Sequence, residues 1–296
     1  LQQAVLDILT EGENAGKSSW GHNERIQIEF ISANPTGPLN VVSARAASVG
    51  DALVNLFRAV GFHAHSEYYV NDSGRQIKLL GESLNARYLS ALGQETPIPE
   101  GGYHGDYLID LARMIVAKEG DKYLHISPEA RCEVMGQIAL AHNLQWQKAS
   151  LEKFRIEFDS WYHESDIRAK AIHEHVLQIL SEKGLTYEKD GALWFKSSEY
   201  GDEKDRVLIT KEGEPTYFLI DIAYHQTKYE RGFAHIYDLW GPDHHGYIAR
   251  MSAAMQALGH AKDTFHVNII QQVNLLRNGE VVKMSKRAGR LIEMDE

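Results

Sequence analysis

The sequence predicts an α/β fold: a parallel sheet with a mostly helical stretch set into its middle. Two observations carry this. Near the start, an alternating strand leads through a turn into an amphipathic helix and a second strand, and after residue 190 short strands and helices alternate again. The 296 residues suit about two domains or one large one.

Residues 26–31 give the first strand, because Ile26, Ile28 and Phe30 alternate with Gln27 and Glu29. A turn-rich segment, residues 32–38, follows. Val49, Leu53, Leu56, Phe57 and Val60 then fall at helical spacing, and Gly61 supplies a stop. Residues 65–70 read as a second strand, so the unit is a right-handed βαβ. From about 84 to 184 the chain reads mostly helical. Leu108, Leu111, Ala112 and Ile115 share one face, and Ile167, Ile172, Val176, Ile179 and Leu180 form another stripe. Pro97, Pro99, Gly101 and Gly102 punctuate the entry. Short strands at 192–195 and 206–210 come next. They are followed by a helix at 216–228, a strand at 235–240, a helix at 242–258 and a strand at 265–270. Pro242 suits a first helical position and Gly259 the exit. The expected division is a tail or linker at 1–25, the first half of the sheet domain at 26–85, a helical insertion at 86–190 and the second half at 191–296.

Composition narrows the classes. With 43% hydrophobic and 24% charged residues the chain is globular, not disordered or collagenous. No apolar run approaches the roughly 18 residues of a membrane span, and no leader pattern opens the chain. A single cysteine, Cys132, allows neither an internal disulfide nor a thiolate cage, so a reducing, cytoplasmic setting is expected. The net charge of -10 does not by itself point to nucleic acid, which would have to bind through local patches. Leu1 at the start and the Lys-rich end read as cuts through a longer protein.

Five places could carry chemistry. The 32–40 loop joins a strand end to a helix start, where open α/β sheets bind ligands and where a helix N-terminus suits phosphate. Gly37 permits close backbone approach there, while Asn40 also reads as a simple N-cap. Glu29 could receive a cationic ligand, or be a solvated strand residue. Tyr217 and Asp221, four apart on a helix, could both accept from a guanidinium, or be a surface pair beside the core face of Leu219 and Ile222. Asp243, His244 and His245 are adjacent, so they cannot all ligate one ion; no metal site is expected, and nucleotide contact suits them better. Finally, Lys283-Met284-Ser285-Lys286-Arg287-Ala288-Gly289 places two lysines around a small polar residue, a loop able to follow charge onto a leaving pyrophosphate.

Lys283 to Lys286 match the KMSKS-type signature of class I aminoacyl-tRNA synthetases. The stretch from Glu29 through Ser32, Asn34, Pro35 and Gly37 to Leu39 resembles the lead-in to the other class I signature in bacterial arginyl-tRNA synthetases. Ordered matches continue through residues 44–53, 67–72, 190–194, 205–208, 215–225, 241–247 and 281–289, so the resemblance covers about 26–294. It implies a Rossmann-like nucleotide-binding catalytic domain with a helical connective insertion. The implied reaction makes arginyl-adenylate from arginine and ATP, with Mg2+ accompanying the ATP, and transfers the arginine to tRNA(Arg). No membrane partner is implied, and a monomer is expected. By the same resemblance, Glu29, Tyr217 and Asp221 hold the arginine side chain. Asn34 and Asp243 lie near the α-amino group. Lys283 and Lys286 act on the pyrophosphate side, and Ser285 between them is counted with the catalytic residues. Ser32, Gly37, Gly241, His244 and Met284 line the ATP side.

One departure stands out. Where the family carries H-x-G-H, this chain has Asn40-Val41-Val42-Ser43. Asn40 and Ser43 would have to do the work of two imidazoles, and Val42 replaces a glycine that makes room for adenine. Losing one preorganised donor to developing charge costs roughly 3–4 kcal/mol in other enzymes. The expectation is an impaired arginine–tRNA ligase. The alternatives are a non-catalytic paralogue that binds arginine or tRNA, and an adenylate-transferring enzyme with a non-tRNA acceptor.

Overall fold

A computed structural model describes residues 2–271, 273–277, 279–281 and 292–296. Its centre is a parallel sheet built from β1 (Arg25–Glu29), β2 (His63–Val70), β3 (Ser160–His163), β7 (His235–Trp240) and β8 (Phe265–Ile269), in the order β3-β2-β1-β7-β8. The order reverses between β1 and β7. In such a Rossmann-like sheet that switch point opens a crevice at the carboxyl ends of the strands.

The helix after β1, α2 (Val41–Ala59), covers one face of the sheet. There Ile26, Ile28, Phe30, Val54 and Tyr68 share a core. Gly50 lets α2 lie close on the strand, since a Cβ there would stand 2.1 Å from the Phe30 ring. On the other face α8 (Tyr217–Glu230) and α9 (Ile248–Leu258) bury Leu219, Ile222, Met251 and Met255 against Ile236 and Phe265. β1 is therefore buried on both sides, as central parallel strands are. Gln27 is fully buried and Glu29 is 9% exposed, which overturns the solvated reading of Glu29.

The middle of the chain holds α3 (Arg75–Ala91), α4 (Tyr107–Glu119) and α5 (Pro128–Lys153), with Leu80, Leu84, Leu108, Leu111 and Met135 in a core of their own. The stripe predicted on α4 is buried as expected. Three details depart from the sequence reading. β3 falls inside the stretch read as helical; its four residues carry no run of alternation, and it pairs with β2 as an edge strand. The Ile167–Leu180 stripe is shared by α6 (Glu164–Ala169) and α7 (Ile172–Glu182), because Ala171 adopts a left-handed conformation between them. On α2 it is Val54 that is buried, while Leu56 is 62% exposed.

The strands read at 192–195 and 206–210 lie outside the main sheet. β5 (Ala192–Phe195) and β6 (Arg206–Ile209) join β4 (Thr186–Lys189) in a separate antiparallel sheet. Residues 242–247 form a 3-10 segment before α9 rather than its first turn. Among the described residues no helix is long and apolar enough to cross a membrane.

Candidate active site

Two adjoining cavities open at the switch point. The first, about 210 Å³, is lined by Glu29, Ser32, Tyr69, Asp221, Tyr224, His225, Trp240 and Tyr247 among others. The second, about 370 Å³, is lined by Val42, Ser43 and Ala46 from α2 and by residues 239–244, at and just beyond the end of β7. Ile31, Leu239, Trp240, Gly241 and His244 border both.

The first cavity is acidic and aromatic. Glu29 stands at the end of β1. Immediately after it the chain turns through left-handed Ile31 (φ 67) and Ser32 (φ 39), an uncommon conformation for a β-branched residue. The turn brings the Ser32 hydroxyl back to donate to Glu29 Oε1 at 2.7 Å and to accept from the Tyr69 amide at 3.0 Å. Glu29 Oε2 accepts from Lys228 Nζ at 2.7 Å. Asp221 projects from α8 and accepts from the Tyr247 hydroxyl at 2.6 Å. Burial, with the nearby Glu164 and Glu29 carboxylates adding to it, pushes the Asp221 carboxyl up to about 6 although Tyr247 opposes the shift. Tyr69, whose hydroxyl donates to Glu164 at 3.2 Å, and Tyr224 give the cavity flat walls. A planar cation fits such a site: carboxylates accept in its plane and aromatic faces cover it.

Asn40 is the N-cap of α2, as the alternative reading had it. Its Oδ1 accepts from the Val42 and Ser43 amides, both at 3.1 Å, and the Val41 amide donates to the Ile292 carbonyl at 3.2 Å. The first amides of the helix are thus satisfied internally, where an anion would otherwise bind. Val42 and Ser43 line the second cavity.

The loop between Glu29 and α2 is held from the helical segment. Gln147 Nε2 donates to the Gly37 carbonyl at 2.8 Å and the Asn34 carbonyl at 3.3 Å, and Asn143 donates to the Pro35 carbonyl at 3.0 Å. The hydroxyls of Tyr107 and Tyr68 reach the carbonyls of Thr36 and Ala33. Asn143 and Gln147 are fully buried. A Gln147→Leu chain should lose about 2–3 kcal/mol of stability, read by urea unfolding, because buried carbonyls lose their donor.

The structure thus brings together Glu29, Ser32, Asp221, Gly241 and His244 around the first cavity, and Val42, Ser43, Gly241, Asp243 and His244 around the second. Ser32, read as an ATP-side residue, is engaged with Glu29 instead. Gly37 lines neither cavity and packs beside Tyr107. Asn34 sits in the loop that Gln147 holds. Tyr217 does not come to the Asp221 carboxylate: at the first position of α8 its side chain is 66% exposed, and the phenol on Asp221 belongs to Tyr247. Lys283, Met284, Ser285 and Lys286 lie outside the described residues. The sequence reading missed Tyr69, Tyr224, Tyr247 and Trp240, and also the pair His225 and Lys228. For that pair a signal existed: Asp221, His225 and Lys228 recur at i, i+4 and i+7 along a helix that is otherwise core.

A parallel sheet of this order, with an acidic cavity meeting a second cavity at its switch point, is built as a Rossmann-like nucleotide-binding catalytic domain. The family described as tRNA synthetases class I (R), catalytic domain, matches residues 4–296, and the chain belongs to it. It is 47% identical over 294 residues to arginine–tRNA ligase 1 of Halalkalibacterium halodurans, covering 99% of this chain and 53% of that protein. It is 46% identical over 296 residues to the arginine–tRNA ligase of Oceanobacillus iheyensis, covering 100% and 53%. The chain therefore spans about half the length of the curated relatives it matches. Among solved structures, a protein assigned as an arginyl-tRNA synthetase from Campylobacter jejuni matches at TM-score 0.89 and 38% identity, covering 99% of this chain and 64% of that one. Thermus thermophilus arginyl-tRNA synthetase shares the fold at TM-score 0.62 and 19% identity, covering 84% and 48%.

Proposed function

We propose that this chain activates arginine for tRNA(Arg), as a monomer in the cytoplasm. An arginine carboxylate oxygen attacks the α-phosphorus of ATP and pyrophosphate leaves; a ribose hydroxyl at the tRNA 3′ end then attacks the arginyl carbonyl carbon, the bond to AMP breaks, and AMP and the hydroxyl proton are released. The observation that carries this reading is the acidic, tyrosine-walled cavity directly beside the second one. Glu29 and Asp221 accept the guanidinium, which turns the carboxylate end of arginine toward Trp240 and Gly241. ATP, with Mg2+ as part of the substrate, takes the second cavity between α2 and residues 241–244. The chain's contribution is mainly positioning and electrostatics. tRNA-dependent ATP–pyrophosphate exchange, run across the standard amino acids, tests this; selectivity for any amino acid other than arginine overturns it.

A second reading, a paralogue that binds arginine without turning it over, has its own support. Asn40 and Ile292 occupy the α2 amides, and Val42 intrudes where the family keeps glycine. Ordinary exchange rates from the unmodified chain would rule it out.

The pH dependence has a definite sign. Only ionised Asp221 accepts a guanidinium well, and its carboxyl stands at about 6 in the free protein. Below that pH arginine must displace a proton, so its Kd should rise by up to about tenfold per pH unit and level off above about pH 7. Calorimetric titrations between about pH 5 and pH 8 check this, and the slope should vanish in Asp221→Asn.

A further inference from the structure

Lys228 is fully buried in α8, yet it is a cation in the protein interior. Its Nζ lies 2.7 Å from Glu29 Oε2, 2.8 Å from Asp238 Oδ1 and 4.5 Å from the Tyr224 ring centre. Burial works against the ammonium, but Asp238 and Glu29 outweigh it and keep its pKa above the ordinary lysine value. Asp238 is held in turn by His225 Nε2 at 2.6 Å, and His225 Nδ1 donates to the Asp221 carbonyl at 2.7 Å. One polar chain therefore runs from Glu29 through Lys228, Asp238 and His225 to the helical turn that carries Asp221. Ligand atoms of Glu29, His225 and Asp238 lie within 4.8 Å of one another, a nest that could serve a metal ion. Here an ammonium bridges its two carboxylates.

We propose that Lys228 is a positioning residue for the acidic cavity, fixing the orientation of the Glu29 carboxylate for a guanidinium that Lys228 never touches. The inference rests on the arginine reading above. Glu29 is gripped on both oxygens, by Lys228 on one and Ser32 on the other, so its plane cannot turn. Each oxygen retains a second lone-pair direction for a ligand. Without the ammonium, Glu29 Oε2 loses its donor and the carboxylate is left beside Asp238, its register partner on β7. His225 and Arg231 are already engaged by Asp238 and Glu67 respectively, so neither takes the place of Lys228. Held by Ser32 on one oxygen alone, the Glu29 carboxylate can turn out of the plane a guanidinium needs.

Lys228→Met alone leaves two facing carboxylates and risks misfolding. The informative variant is Lys228→Met/Asp238→Asn, which removes one charge of each sign. Arginine, citrulline and ATP are titrated calorimetrically into it and into the wild type at about pH 7.5. The variant should bind arginine about tenfold more weakly than wild type, while its citrulline affinity changes less than about threefold, so the preference for the guanidinium narrows. ATP affinity should stay within about twofold. An equal loss for citrulline, a loss shared by ATP, or no loss at all overturns the inference while leaving the arginine reading standing. A wild type that binds arginine no better than citrulline overturns both.

Discussion

Restoring the missing signature with Asn40→His/Val42→Gly/Ser43→His raises arginine- and tRNA-dependent pyrophosphate exchange by about 100-fold or more, equivalent to about 3 kcal/mol of transition-state stabilisation. Three effects act together. The Asn40 oxygen no longer occupies the Val42 and Ser43 amides, so the N-terminus of α2 opens to phosphate. Two imidazole donors face the charge that develops on pyrophosphate. Removing Val42 clears the wall of the second cavity that it lines. The same variant should be less stable, since loss of an Asn cap costs about 1 kcal/mol. A chain that becomes faster while melting earlier is hard to explain by better folding. A folded triple variant with no gain would show that the signature does not limit this chain.

The second large effect concerns the first cavity. Asp221→Asn keeps the shape of the side chain and still accepts from Tyr247 through its amide oxygen, but it removes the charge. Arginine affinity should fall about 100-fold, or about 2.7 kcal/mol, which lies within the range for hydrogen bonds to charged groups. ATP affinity should be nearly unchanged, because Asp221 lines only the first cavity. Equal loss of both ligands would mean that α8 had shifted, and no loss would remove Asp221 from the site. Calorimetry on the folded variant separates these outcomes.

Legibility in the sequence followed local periodicity. β1, β2, β7, β8 and the helices between them carry alternation or helical stripes, and the 235–240 strand matches residue for residue. β3 and β4 are four residues each, and their pairing is decided by the sheet they meet. The site was readable where the main chain itself places the residue, as with Glu29 at a strand end and Asn40 at a helix start. It was not readable where a partner arrives from elsewhere. Tyr217 looked like the phenol beside Asp221 because four residues separate them, yet Tyr247, 26 residues away, makes that bond. Gln147 and Asn143 hold the 33–37 loop from more than 100 residues away, and nothing in their own helix announces it.

The central claim is that the cavity bounded by Glu29 and Asp221 selects a guanidinium. Titrating arginine and citrulline, whose urea group has a similar shape without the charge, into the unmodified chain at about pH 7.5 tests it most directly. Arginine should bind about 100-fold tighter or better, because a neutral urea leaves Asp221 without a counter-charge and sets a carbonyl acceptor against carboxylates. Equal affinities, or a preference for citrulline, would contradict the account.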